Sequence, residues 1–347
     1  MPQPRSRRPA TLATVAEALG VSRMTVSNAY NRPDQLSPEL RERVLATARE
    51  LGYSGPNPVA RTLSRGEAGA IGLVLDFPLT HALTDPATIE LLHGVAVGCE
   101  QRALGLTLVP RIEGRDAALI QSALVDGFIL YSSPEPDERL AAVRERGVPY
   151  VLIDFPPALG ERAVNVDDRG GARAIGRHIA ALGHRKLAIV LPVDEPGATA
   201  AEAEANATWH MRAERLAGWR EGLGDSVDWT TLPVATAPGG DRETGRQAAA
   251  RLLDGPDRPT AILALYDQLA LGVLDVVSER GLDISVTGFD DVPEAKLASL
   301  TTVSQPHGRK GMESMRLLLD QSGPEAVSLE TELVIRSSTK EPSCTVT

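Results

Sequence analysis

Apolar positions in the first 52 residues recur at helical spacing in three short blocks. Thr11 stands as an N-cap candidate before LATVAEALG, where Leu12, Val15, Ala16 and Leu19 share one face. Gly20 can take the positive φ that ends such a helix, and Val21 packs in the tight turn that follows. Ser22 then caps RMTVSNAYN, with Val26, Ala29 and Tyr30 inward. Two short helices joined by a three-residue Gly-containing turn predict a helix-turn-helix. A third helix starts at Ser37-Pro38 and runs through LRERVLATARELG, with Leu40, Val44, Leu45, Ala48 and Leu51 inward and Gly52 as its stop. The three helices close one small all-α core.

From Ala70 the pattern changes. Short apolar runs (AIGLVLDF, LTLVP, DGFILY, PYVLIDF, KLAIVLP, AILALY) read as buried parallel strands. Amphipathic stretches of helical length lie between several of them, such as IELLHGVAVGCEQRAL, GGARAIGRHIAALG and ETGRQAAARLLDG. A repeated β-α unit builds an open doubly wound α/β sheet, with ligand sites outside the strand C-termini. Roughly 270 residues of this pattern exceed one such sheet and predict two doubly wound lobes.

Composition sharpens the picture through charge. The chain of 347 residues carries a formal net charge of −10, which argues against nucleic acid only as an average. Residues 1–66 hold ten arginines against five acids, a net of +5, which leaves −15 for the remainder. A basic head on an acidic body puts phosphate-neutralising charge at one end. No apolar stretch approaches the ~20 residues needed to span a bilayer. The opening MPQPRSRRPA has arginines but no apolar run after it, unlike a secretory signal, so no membrane partner and a cytoplasmic location are expected. Cys99 and Cys344 lack partners at metal-ligand spacing, and neither a disulfide framework nor a metal site is expected. No phosphate-binding loop, HExxH or nucleophile elbow occurs, so no catalytic residues and no cofactor are expected either.

The second helix is the natural reader of the major groove. Its outward residues are Arg23, Met24, Ser27 and Asn28. Arginine suits the acceptor pair of guanine, asparagine can pair bidentately with adenine, and methionine offers apolar contact, as to a thymine methyl. Thr11, Ser22, Thr25 and Asn31 flank that surface and complete the expected DNA contacts in the head.

TLATVAEALGVSRMTVSNAYN, SPELRERVLATARELGY and NPVARTLSRGEAGAIGLV, in this order, resemble the head, hinge and first body strand of the LacI/GalR family of repressors. LGHRKLAIV, RLAGWREGL, LALYDQLALGVL, DISVTGFDD, LTTVSQP and LVIRSST follow in family order, so the likeness covers nearly the whole chain. The resemblance implies a head over 1–53, a hinge over 54–67 and a two-lobed effector-binding and dimerisation body over 68–347, similar to periplasmic sugar-binding proteins. It implies three crossings between lobes, near Asp167, Leu300 and Val327. Lobe 1 then holds about 68–166 and 301–327, and lobe 2 about 167–300 and 328–340. In the family the hinge folds on operator DNA and enters the minor groove, and Leu63 matches the residue wedged between base pairs, where an apolar side chain kinks the duplex.

The same resemblance nominates effector contacts at strand ends: Asp76, Tyr131, Asp154, Arg215, Asp267 and Gln305. Asp154, Arg215 and Asp267 are the best matched. Carboxylates and a guanidinium converging on one cleft suit a polyhydroxylated ligand, a sugar or sugar derivative. For Asp267, which precedes the helix QLALGVLDVV, the role of helix cap or loop anchor stays open. Asp290-Asp291 look like a catalytic pair, but GFDD is a structural turn in the family. One departure is the loop TAPGGDRE, where sugar-responsive members often carry an aromatic platform and this chain has Gly239 and Gly240. The long segment 194–211 offers Trp209 or His210 as a substitute.

A transport-type binding protein would need a signal peptide and no helix-turn-helix. A regulator recognising another protein would lack convergent polar groups in its cleft. One helix-turn-helix reads about half a site, so a homodimer on pseudo-palindromic operator DNA is expected. No leucine heptads follow the last strand, so no tetramer-forming helix is expected.

Overall fold

The computed structural model describes residues 10–55, 66–132, 134, 137–192, 197–320, 322 and 325–343. It divides into two compact units, 1–68 and 69–347.

The first unit contains three helices: α1 (Leu12–Leu19), α2 (Arg23–Asn31) and α3 (Pro38–Glu50). Each begins where its cap dictates. Thr11 and Thr14 form a reciprocal capping box, the Ser22 hydroxyl accepts from the Thr25 amide at 3.0 Å, and Ser37 precedes Pro38. Gly20 ends α1 at φ 65. Val15, Ala16, Val26, Ala29, Val44 and Ala48 form the core. Leu51, expected inward, is 43% exposed. The chain turns at Gly52 (φ 74), and the Tyr53 ring packs edge-on to Tyr30 at 5.9 Å, taking the corner that Leu51 would have filled.

The second unit has two lobes. Strands β1 (Ala70–Leu75), β2 (Gly105–Val109), β3 (Gly127–Tyr131), β4 (Tyr150–Ile153) and β5 (Ala163–Val166) belong to the first. Strands β6 (Leu187–Leu191), β7 (Val234–Thr236), β8 (Ala261–Ala264) and β9 (Ser285–Thr287) belong to the second. Later come β10 (Thr302–Ser304), β11 (Ala326–Leu329) and β12 (Glu332–Val334). The first sheet runs β11-β5-β4-β3-β1-β2 and the second β7-β6-β8-β9, all parallel. Apolar residues pack on both faces of the first sheet, and a larger core encloses the second. This is the doubly wound architecture that the apolar runs predict.

The chain crosses between lobes after β5, after β10 and after β11. β10 pairs antiparallel with β12, while Thr301 and Ser304 bridge to Thr287 and Asp290 of the second lobe. Residues 301–304 therefore lie with the second lobe and 328–329 with the first. The last two boundaries read from the sequence stop short, because non-local pairings set them.

A close helix pair packs in each lobe. Helix His307–Leu319 lies against Pro86–Glu100, and Gly94 permits this, since a Cβ there would collide with the Gly308 carbonyl. Helix His210–Leu223 lies against Asp168–Ala181, where a Cβ on Gly218 would run into the Arg169 carbonyl.

Candidate functional site

Between the lobes lies a cavity of about 770 Å³. Strand ends line it from both sides: Asp76, Tyr131 and Asp154 from the first lobe, and Pro192, Tyr266 and Asp290 from the second. Asp154 (φ 61) and Asp290 (φ 130) hold positive φ, a conformation uncommon for non-glycine residues, though aspartate adopts it more readily than most.

Asp76 is fully engaged. It accepts from Arg139 at 2.7 Å, Arg111 at 3.0 Å and the Trp209 indole N–H at 2.8 Å. Burial pushes its carboxyl above the ordinary value against the pull of Arg139 and Trp209. Trp209 thus reaches from the second lobe to the first, with the Arg212 guanidinium 4.5 Å from its ring centre. It lines the cavity, and His210 does not. The Tyr131 phenol also lines it, and burial raises its pKa well above the ordinary value.

Arg215 is 2% exposed and held on every side. Its Nε donates to Asp168 Oδ1 at 2.8 Å and Nη1 to the Leu265 carbonyl at 2.7 Å. Its guanidinium lies 3.7 Å from the centre of the Phe289 ring and 3.9 Å from Asp290. Gln305 donates to Asp290 at 2.5 Å and accepts from Lys310 at 3.1 Å. Asp154 accepts from Lys310 Nζ at 2.8 Å.

Asp267 is a correction. Its exposure is 0%, it does not line the cavity, and its carboxylate anchors loops. Oδ1 accepts from the Thr302 hydroxyl at 2.6 Å, and Oδ2 from the Val292 amide at 3.0 Å. Although it follows a strand, as Asp154 does, it starts helix Asp267–Glu279 and its side chain turns back into the fold. GFDD is the opposite correction. Asp291 holds Arg336 at 2.5 Å as a turn residue would, but Asp290 faces the cavity. The sequence reading also passed over His307 and Lys310. Their spacing with Gly311 and Ser314 traces the buried face of helix His307–Leu319, a signal the sequence did contain.

Two buried carboxyls titrate high. Asp267 is pushed up to about 8, first by burial and then by Asp290. Asp168 rises to about 6 through burial, against Arg215. Both exceed the ordinary value of 3.8, so the stability they contribute is complete below that pH and is lost as pH rises through about 6 and then about 8. Asp290 runs the other way. Burial raises it, but His307 and Arg215 outweigh burial and hold it below 3.8, so its contribution is lost only in acid. His178 and His184, lowered by burial, contribute the opposite slope below about pH 6.5, so the carboxyls are read by difference: the melting temperature of wild type is expected to fall relative to that of Asp267→Asn as pH rises from 5 to 8.5. A difference between the two that stays constant with pH would contradict the assignment.

In the head, Arg23 and Met24 project from the first turn of α2, Met24 with 73% exposure. The other polar residues also make local bonds. The Ser22 and Thr25 hydroxyls lie 2.8 Å apart, Asn28 donates to Gln35 at 3.1 Å, and Asn31 to Ser27 at 3.2 Å. Thr11 serves the cap of α1. Leu63 lies outside the described residues. Among the described residues, no group of three or more His, Cys, Asp or Glu could hold a metal ion, and no helix is long and apolar enough to cross a membrane.

A model of bacterial regulatory proteins of the lacI family matches residues 11–57, and one of a periplasmic binding protein-like domain matches residues 177–339. An HTH-type transcriptional regulator of Mycobacterium tuberculosis is 42% identical over 348 residues, spanning 95% of this chain and 97% of that relative. A solved transcriptional regulator CelR–cellobiose complex is similar at 28% identity and a TM-score of 0.67, over 95% of this chain and 100% of that one. A lac repressor dimer bound to operator and the anti-inducer ONPF is similar at 27% identity and a TM-score of 0.72, over 96% of this chain and 100% of that one.

Proposed function

The chain belongs to the LacI family of bacterial transcriptional regulators, and we propose that it is a repressor whose operator affinity is set by a neutral sugar or sugar derivative bound between its lobes. The observation that carries this reading is the convergence of Asp154, Asp290, Arg215 and Gln305 on one cavity with an indole at its side. Its volume, about 770 Å³, falls within the ~300–1,000 Å³ of small-molecule sites. Carboxylates, an amide and a guanidinium bind hydroxyls in pairs, and an aromatic face covers the C–H side of a sugar ring. The sugar and operator in the CelR and lac repressor structures support the same reading. Asp76 and Tyr131 complete the effector side.

In this proposal the protein acts as a cytoplasmic homodimer on a two-fold operator, because one helix-turn-helix reads half a site. Arg23, Met24, Ser27 and Asn28 read bases, while Thr11, Ser22, Thr25 and Asn31 add contacts and Leu63 enters the minor groove. The effector shifts operator affinity only through its different affinity for two arrangements of the body, with a coupling of ~1–3 kcal/mol.

Binding-site selection followed by retardation of the selected duplex tests this. A two-fold consensus is expected, and at least one neutral sugar should change the half-retarding protein concentration by roughly 5–150-fold. Retardation unaffected by every neutral sugar tested would remove the sugar effector from the reading.

A further inference from the structure

Helix His307–Leu319 delivers two polar side chains to the end of the cleft beside the Gln305–Pro306 crossing. Lys310, 1% exposed, spans Asp154 Oδ2 at 2.8 Å and Gln305 Oε1 at 3.1 Å. Gln305 passes to Asp290 Oδ1 at 2.5 Å, and His307 Nε2 stands 3.6 Å from that same oxygen. The result is one buried chain, Asp154–Lys310–Gln305–Asp290–His307, that draws on both lobes. Within it, three buried atoms have no hydrogen-bond partner: Asp154 Oδ1 and both ring nitrogens of His307. His307 is 2% exposed, and both residues line the cavity. Buried polar groups are almost always paired, and each that is not costs roughly 1–3 kcal/mol. Polar atoms left without a partner on two residues that line one cavity suit a ligand that pairs with them.

We infer that His307 is a specificity-determining residue of the effector cleft, which reads, together with Asp154 Oδ1, a pair of neighbouring hydroxyls on a neutral ligand. The inference rests on the proposed polyhydroxylated effector and names the feature of it that this end of the cleft selects. A neutral imidazole offers one donor and one acceptor, and a carboxylate only accepts. A hydroxyl both donates and accepts, so of two adjacent hydroxyls one can pair with the imidazole nitrogen turned to the ligand and the other with Asp154 Oδ1. A phosphate or carboxylate would meet Asp154 and Asp290 instead. The cations beside these two carboxylates are already engaged, Lys310 by Asp154 and Arg215 by Asp168. A ligand lacking the hydroxyls would leave the nitrogens unpaired, and sites built to bind a hydroxyl reject such analogues by large factors.

The test uses the full-length protein, His307→Phe and His307→Asn. Without ligand, His307→Phe should melt close to the wild-type temperature, since it keeps the ring's bulk and sets the removal of two unpaired buried nitrogens against the loss of Asp290's neighbour at 3.6 Å. A clear fall would show the imidazole to be structural and overturn the inference. Calorimetry then measures D-glucose, D-galactose and D-ribose, their 2-deoxy and 3-deoxy counterparts, and glucose 6-phosphate. At least one neutral sugar should bind, with one of its deoxy counterparts at least ~100-fold weaker. His307→Phe should weaken the parent sugar at least tenfold and bind parent and deoxy form alike, and His307→Asn should recover part of the difference. Equal binding of the parent sugar by wild type and His307→Phe, or tighter binding of glucose 6-phosphate, would overturn the inference. If that sugar still releases operator DNA, the proposed function stands without it. Failure of all three sugars to bind overturns the inference and the sugar effector together, leaving operator binding untouched.

Discussion

Arg215→Ala is expected to cost the body about 3–5 kcal/mol of folding stability and to abolish the response to effector. The guanidinium is 2% exposed, and its loss strands three groups at once. Asp168 loses the partner at 2.8 Å that offsets its burial, the Leu265 carbonyl loses its donor at 2.7 Å, and Phe289 loses the cation over its ring. Removing one member of a buried pair leaves an uncompensated charge, whereas removing both with apolar replacements can be nearly neutral. Arg215→Met combined with Asp168→Leu should therefore recover much of the loss, while Arg215→Met alone should not. Lysine is no substitute, because an ammonium cannot reach Asp168 and Leu265 as a planar fork does. Urea unfolding of the three variants decides the matter. A loss below about 1 kcal/mol for Arg215→Ala would mean that the buried pair contributes little net stability.

Much of this arrangement was legible in the sequence because it is local. Thr11, Ser22 and Ser37-Pro38 mark helix starts through chemistry within one turn, and Gly20 and Gly52 mark stops through their own backbone freedom. The apolar runs identify strands, and a polar residue just after such a run falls at the cleft: Asp76, Tyr131 and Asp154 all do. What sequence could not supply is the direction a side chain takes once tertiary bonds compete for it. Asp154 and Asp267 both follow a strand. Lys310 holds the first at the cavity, while Thr302, 35 residues away, holds the second inward. Asp290 and Asp291 are neighbours with opposite fates, set by Gln305 and Arg336. The crossings depend on the pairing of Thr302–Ser304 with Glu332–Val334, which no local pattern announces. Lys310 was readable from the helical period of its face, but a lysine on an apolar face reads as solvated until its partner, 156 residues earlier, is known.

Deletion of residues 1–66 is expected to abolish sequence-specific DNA binding, a fall of at least about a thousandfold in affinity, while sugar binding by the remaining chain stays within about twofold of wild type. Charge gives the first reason. The deleted segment carries +5 and what remains carries −15, so the truncated chain would repel the polyanion that the head attracts. Packing gives the second. The head's core of Val15, Ala16, Val26, Ala29, Val44 and Ala48 shares no residue with the cores of the lobes. The cut also spares the Gly69 amide, which donates to Asp126 at 2.7 Å where the first strand begins. Urea unfolding of the truncated chain should thus give the same lobe stability as in the full-length protein. Met24→Ala supplies the complementary case, because a 73% exposed side chain can be removed at a stability change within about 0.5 kcal/mol. If α2 reads bases, that variant should alter the selected consensus at one position per half-site and leave the salt dependence unchanged, since no phosphate contact is lost. A truncated chain that still retards the selected duplex at 150 mM salt would place the DNA-reading surface outside the helix-turn-helix.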